Sequence, residues 1–201
     1  MLHGALLLFG CKILRGQNEM STESRVRLLQ RDQVTPEIGA VYDALLAARG
    51  VVPNMFKVLA HTPAIASAVA GFLKPLLADG ALRGWYKELV AVRVSQRSAS
   101  EYAIRAHSIS ARQKGATDEQ ISALADFESR PFSPKEKLGF RLADKLHESG
   151  KAVDDNFFAE LHANFTEPEL VELFLTAAAF EMFPRFIDGL RIPVTPPPAA
   201  K

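Results

Sequence analysis

Glu88 and His107 are the two side chains whose types and surroundings point to chemistry. Glu88 lies in an apolar run with Leu89, Val90, Val92 and Val94, where a carboxylate is desolvated unless it has a partner. His107 carries a ring that titrates near ~6.5 when unperturbed, so it serves as acid or base at neutral pH. Ser100, Ala103, Ile104 and His107 recur at three- and four-residue spacing, which puts them on one face of a helix and predicts a small polar cleft there. A buried Glu88 facing His107 makes an acid/base pair for proton transfer. Ser100 and Glu101 join the candidate binding set. Tyr102 is placed to donate a hydrogen bond to a ligand oxygen, and Arg93 and Arg97 to hold a substrate carboxylate in bidentate fashion.

Each of these residues also has a structural role open to it. A helical histidine commonly makes a structural hydrogen bond, and Glu88 fits equally the wet side of an amphipathic helix. Glu101 completes a capping box with Ser98. Tyr102, like Trp85 and Tyr86, suits packing, and the two arginines need no ligand as solvated charges on a helix face.

Other chemistries are missing from the sequence. His61, His147 and His162 are scattered among different predicted helices or their ends and form no metal-binding motif. No glycine loop that cradles phosphate is present, and neither a metal nor a cofactor is expected. Lys and Arg total 24 against 23 Asp and Glu, a formal net charge of +1, so no field draws the chain to nucleic acid or an anionic membrane. The expected partner is a small-molecule substrate. Pro63, Lys74 and Asp79 interrupt the longest candidate for a membrane-spanning run, which needs roughly 18 apolar residues. Cys11 is the single cysteine, which leaves no intramolecular disulfide or thiolate cluster and fits a reducing cytoplasm.

The elements that must position Glu88 and His107 are helices. From Thr35 onward apolar residues recur at helical spacing and no stretch alternates at period two, so the class is all-α. With 201 residues and 48% hydrophobic content, the chain builds one substantial core. Thr35-Pro36 opens a helix that Gly50 closes, and a short helix follows from about Asn54 to Ala60. Thr62-Pro63 opens the next, to about Asp79, and another covers about Gly84 to Gln96. Ser98 with Glu101 predicts a start for the helix bearing His107, running to about Lys114. Thr117 to Asp126, Ser133 to Ser149, Asp154 to Asn164 and Thr166 to about Met182 complete the array, with Ser133 and Glu136 forming a second capping box. Residues 1–34 are expected to be a partly disordered N-terminal extension. Its short apolar run at 6–11 has no preceding Lys or Arg, and Met20 opens a polar stretch that looks like an ordinary N-terminus. Residues 35–192 form the helical domain. Residues 193–201, with Pro193, Pro196, Pro197 and Pro198, are expected to be extended or disordered. Glu88-Leu89-Val90 and Glu169-Leu170-Val171 form a weak internal echo, open to duplication or chance.

The stretch from Lys87 to His107 resembles the alkylhydroperoxidase D signature, a glutamate, eleven residues, a cysteine, two residues, a cysteine, three residues and a histidine. Here the glutamate falls on Glu88, the histidine on His107, and the cysteine positions on Ser100 and Ala103. Val52-Pro53-Asn54-Met55-Phe56, Thr117-Asp118-Glu119-Gln120-Ile121, Phe132-Ser133-Pro134-Lys135-Glu136 and Glu169 to Leu173 resemble the wider carboxymuconolactone decarboxylase-like group. The resemblance implies an all-α, alkylhydroperoxidase D-like bundle that assembles as a homotrimer or hexamer, for which apolar helices such as 170–180 offer an interface. Members of the group without the cysteine pair often carry a glutamate four residues before the histidine, where this chain has Ala103; its glutamate is two positions earlier, at Glu101. Thiol peroxidase chemistry needs a thiolate and a resolving thiol, which Ser100 and Ala103 do not supply. Three readings follow: a decarboxylase-like lyase or isomerase acting on a small lactone or carboxylic acid through Glu88 and His107, favoured over an alkylhydroperoxidase-like antioxidant protein, with a non-catalytic oligomeric binding protein as the third.

Overall fold

The computed structural model describes residues 23–197, and Cys11 with the rest of the leading apolar run lies outside them. Among the described residues there are no strands. The α-helices are α1 (Pro36–Arg49), α2 (Asn54–Leu59), α3 (Pro63–Leu77), α4 (Gly84–Arg97), α5 (Glu101–Gln113), α6 (Asp118–Ala123), α7 (Pro134–Glu148), α8 (Asp155–Asn164) and α9 (Glu167–Gly189). Short 3₁₀ turns occupy Arg31–Gln33, Leu124–Ser129 and Gly150–Ala152. None of the helices is long and apolar enough to cross a membrane.

Helix α4 is the axis of the bundle. Its Leu89, Val90, Ala91, Val92 and Val94 are fully buried, as a helix enclosed by neighbours on several sides requires. It packs against α5, α7 and α9. Each such Leu or Val contributes roughly 1.5–3 kcal/mol through burial. The same burial swallows two charges in the first turns of α4, Lys87 and Glu88, both fully buried. Lys87 Nζ reaches Glu172 Oε2 on α9 at 2.9 Å. Gly84 opens α4 hard against the end of α3: a Cβ there would meet the Leu77 carbonyl oxygen at 2.8 Å.

The α4–α5 corner differs from the expected capping box. Helix α4 continues to Arg97, and the Ser98 hydroxyl donates back to the Val94 carbonyl at 3.1 Å. Ala99 then takes a left-handed conformation, φ 52°, and the Ser100 N–H closes on the Ser95 carbonyl at 3.1 Å, the 6→1 bond of a Schellman turn. Ser100 occupies the N-cap position without capping, because its hydroxyl donates to Asp188 Oδ1 on α9 at 3.1 Å. The tight reversal sends α5 back along α4.

Two further segments depart from expectation. Helix α9 does not stop near Met182 but runs through Pro184 to Gly189. A proline inside a helix costs about 3 kcal/mol, and burial of Phe183, Pro184 and Ile187 offsets it. Residues 193–195, inside the proline-rich tail, are extended as expected yet pinned: Asn54 Nδ2 donates to the Pro193 carbonyl at 3.1 Å, and the Asn54 N–H donates to Thr195 Oγ1 at 2.9 Å. The stretch before α1 also lies on the bundle, with the Leu29 N–H on the Lys57 carbonyl at 3.0 Å and the Arg25 N–H on Leu190 at 2.9 Å. On the outer face of α9, Val171, Leu175 and Met182 are exposed. The two Glu-Leu-Val segments have different roles: Glu169 accepts from the Thr166 N–H at the start of α9 and pairs with Lys135, whereas Glu88 is sealed in the core.

Candidate active site

The α4–α5 reversal brings Glu88 against three side chains of α5 and its C-terminal cap. His107 Nδ1 lies 2.7 Å from Glu88 Oε2, and the Ser110 hydroxyl donates to Oε1 at 2.6 Å. Lys114 Nζ also donates to Oε1, at 2.5 Å, and to the Leu77 carbonyl at the end of α3, at 2.7 Å. His107, Ser110 and Lys114 follow one another at helical spacing, so one stripe of α5 supplies all three. Burial alone would push the Glu88 carboxyl up. The hydrogen bond and charge of His107, with those of Lys114, outweigh it and hold the group at about 2. Glu88 is thus ionised at neutral pH, with its oxygens already occupied. It does not face His107 across a cavity; it holds the ring by direct contact.

A carboxylate on Nδ1 fixes the tautomer with the proton on Nδ1, leaving the Nε2 lone pair as the base. Nε2 has no hydrogen-bond partner among the described residues and is not sealed from solvent. The ring stands edge-on to Phe180, with centroids 4.2 Å apart. It borders a cleft of about 480 Å³ including its open mouth, walled by Ala103, Leu73, Phe180, Phe183 and Ile187. A second hollow of about 430 Å³ adjoins it and shares Arg49, Pro53, Tyr102 and Ala106.

The other sequence candidates divide. Tyr102 lines both hollows. Its oxygen accepts from the Met55 N–H at 3.0 Å and the Thr195 hydroxyl at 2.9 Å, so its own proton has no acceptor among the described residues. Burial pushes this phenol above its ordinary value, and it stays a neutral donor. Ser100 is buried on Asp188 and lines neither hollow. Arg93 is not brought to the cleft: it forms a bidentate pair with Asp144 at 2.7 and 2.8 Å and stacks over Phe127. Arg97 reaches the same Asp144 at 3.5 Å. Glu101 is largely exposed and lines neither hollow, although its partner Arg105, at 3.6 Å, lines the second. Sequence reasoning missed Lys114 and Ser110, although their spacing from His107 carried the signal, and it missed Arg49, whose place on the cleft depends on tertiary packing. Among the described residues no three His, Cys, Asp or Glu side chains converge as metal ligands.

The carboxymuconolactone decarboxylase family model matches residues 63–145, a span that includes Glu88, His107 and Lys114. Over these residues the chain is similar to that family. Similar proteins include the uncharacterized protein YnjA of Escherichia coli, 26% identical over 53% of this chain and 59% of that protein. The uncharacterized protein YdfG of Bacillus subtilis is 30% identical over 44% of this chain and 62% of its own length. The matched region thus spans about three fifths of these curated relatives. Among solved structures, a peroxidase-related protein from Silicibacter sp. TM1040 superposes with a TM-score of 0.79 at 17% identity, covering 90% of this chain and 96% of that one. An alkylhydroperoxidase AhpD core protein from Ralstonia eutropha JMP134 gives 0.78 at 20%, covering 86% and 92%. The debrominase Bmp8 in complex with 2,3,4-tribromopyrrole gives 0.76 at 19%, covering 86% and 94%. These likenesses establish the AhpD-like fold. Within it, this chain presents Ala103 to the cleft beside His107, at the position of the second cysteine of the signature.

Proposed function

We propose that the protein is a proton-transfer catalyst of the lyase or isomerase type, acting on a small lactone or carboxylic acid. His107 is the catalytic acid/base and Glu88 the residue that positions it. The observation that carries this reading is the sealed, ionised carboxylate on Nδ1 of a ring that lines an apolar cleft and whose other nitrogen is unpaired and not sealed from solvent. Such a carboxylate stabilises the imidazolium formed when Nε2 takes a proton. In an isomerisation the ring removes a proton from one substrate carbon and returns it to another. In a decarboxylation the protonated ring supplies a proton to the carbon that CO₂ has left. Tyr102 offers its phenol proton to a substrate oxygen on which charge develops. The size and apolar walls of the cleft favour a compact substrate, and Bmp8, which shares the fold, takes a small halogenated ring.

Thiol peroxidase chemistry is the less supported reading, because Ser100 is engaged by Asp188 and Ala103 is a methyl. The test is His107→Gln, assayed by proton–deuterium exchange and turnover on a panel of small lactones and carboxylic acids. Loss of a positioned acid/base lowers the rate about 10²–10⁴-fold, with the helical circular dichroism signal unchanged. A substrate turned over equally well by this variant would remove His107 from the chemistry.

A further inference from the structure

Arg49 is the last residue of α1, turned at Gly50, whose φ is 71°. It is half-buried, and its guanidinium makes neither an ion pair nor a hydrogen bond with another described residue. It lines both hollows. The other guanidinium in the outer hollow, Arg105, is held by Glu101. No carboxylate lines either hollow, so Glu88, sealed behind His107, does not neutralise Arg49. A partly desolvated guanidinium without a counter-charge is costly unless a ligand supplies one. Its planar fork matches a carboxylate through two parallel hydrogen bonds.

Resting on the reading of His107 as the cleft's acid/base, we infer that Arg49 is the specificity residue that selects a small monocarboxylate with an apolar body. The carboxylate lies at Arg49, where the two hollows meet, and the apolar body fills the inner hollow against Phe180 and Phe183, beside His107. Tyr102, bordering the same junction, donates to the second polar function of such a substrate. The arrangement accounts for a cleft whose walls are apolar while its shared rim is cationic. It also separates two substrate classes: a neutral lactone gains nothing from Arg49, whereas a lactone or olefin that carries a carboxylate does.

The test uses phenylacetate and its neutral isostere phenylacetamide as probes, titrated into the full chain by calorimetry. The wild-type chain is expected to bind phenylacetate about 10- to 100-fold more tightly than phenylacetamide, the worth of a hydrogen-bonded charge. Arg49→Gln abolishes that preference while leaving phenylacetamide binding unchanged, and Arg49→Lys restores part of it. Equal binding of the two probes by the wild-type chain, failure of phenylacetate to bind it, or equal weakening of both probes by Arg49→Gln overturns the assignment. His107→Gln separates this inference from the catalytic reading. Phenylacetate binding that survives in this variant while turnover is lost supports both. Turnover that survives removes the role of His107 and leaves the charge preference of Arg49 to stand or fall on the probe pair.

Discussion

Replacing Glu88 by Gln tests whether the buried carboxylate is held ionised by its partners. The carboxyl falls from an ordinary 4.5 to about 2, and at about 1.4 kcal/mol for each tenfold change this contributes roughly 3 kcal/mol to folding at neutral pH. Because Glu88 is fully buried, solvent does not discount the figure. The sign follows from a depressed folded-state value: the contribution is complete above about pH 5, declines as the pH falls below 4.5, and is gone once the pH drops through about 2. Glu88→Gln keeps the shape and one acceptor for the His107 N–H, but leaves the Lys114 ammonium facing an amide. The variant is expected to be about 3 kcal/mol less stable at pH 7, or roughly 6–12 °C lower in Tm. The gap to the wild type should narrow by about half or more as the pH falls from 5 to 3. Urea unfolding followed by circular dichroism across that range measures it directly. A gap below about 0.5 kcal/mol at pH 7, or one that stays constant down to pH 3, would refute the reasoning.

The second buried charge predicts an asymmetry. Lys87→Met costs roughly 1 kcal/mol, because Glu172 keeps the Ala81 and Leu82 N–H donors and some exposure. Glu172→Ala costs about 3–5 kcal/mol, because it strands a sealed ammonium; equal costs in urea unfolding would contradict this account. Hydroperoxide consumption with a dithiol donor is expected to be absent. Turnover that persists after Cys11→Ser would show that Ser100 and Ala103 do not bar peroxide chemistry.

The helix starts were legible where the cap is local. Thr35 accepts from the Ile38 N–H, and Thr117 with Gln120 and Ser133 with Glu136 form reciprocal capping boxes; in each the partner lies within three residues. Ser98 with Glu101 has the same spelling and fails, because Asp188 on a distant helix takes the Ser100 hydroxyl and Ala99 makes the turn. Pro184 reads as a stop in isolation, yet burial against the core carries α9 through it. The same limit governs the site. The pairing of Glu88 with His107 follows from the apolar run around Glu88, which buries the carboxylate, and from the polar stripe that α5 presents to it. The seat of Arg49 and the ordering of the tail depend on contacts between α1, α5 and residues 193–196, which no local spacing encodes.

Lys87 and Glu88 show why one buried charge is structural while its neighbour belongs to a site. Successive helical residues point about 100° apart, so the two leave α4 in different directions and meet different helices. Lys87 meets Glu172, whose remaining oxygen capacity is taken by backbone N–H groups. That cluster neutralises itself, and neither hollow is lined by either of its side chains. Glu88 meets a ring with two nitrogens, so satisfying the carboxylate consumes only one side of its partner and leaves the other at the cleft. Lys114 then completes the charge balance from behind and anchors on the end of α3. The sealed carboxylate thus has a cation besides the ring to balance it, and its grip on Nδ1 leaves the far side of the imidazole uncommitted.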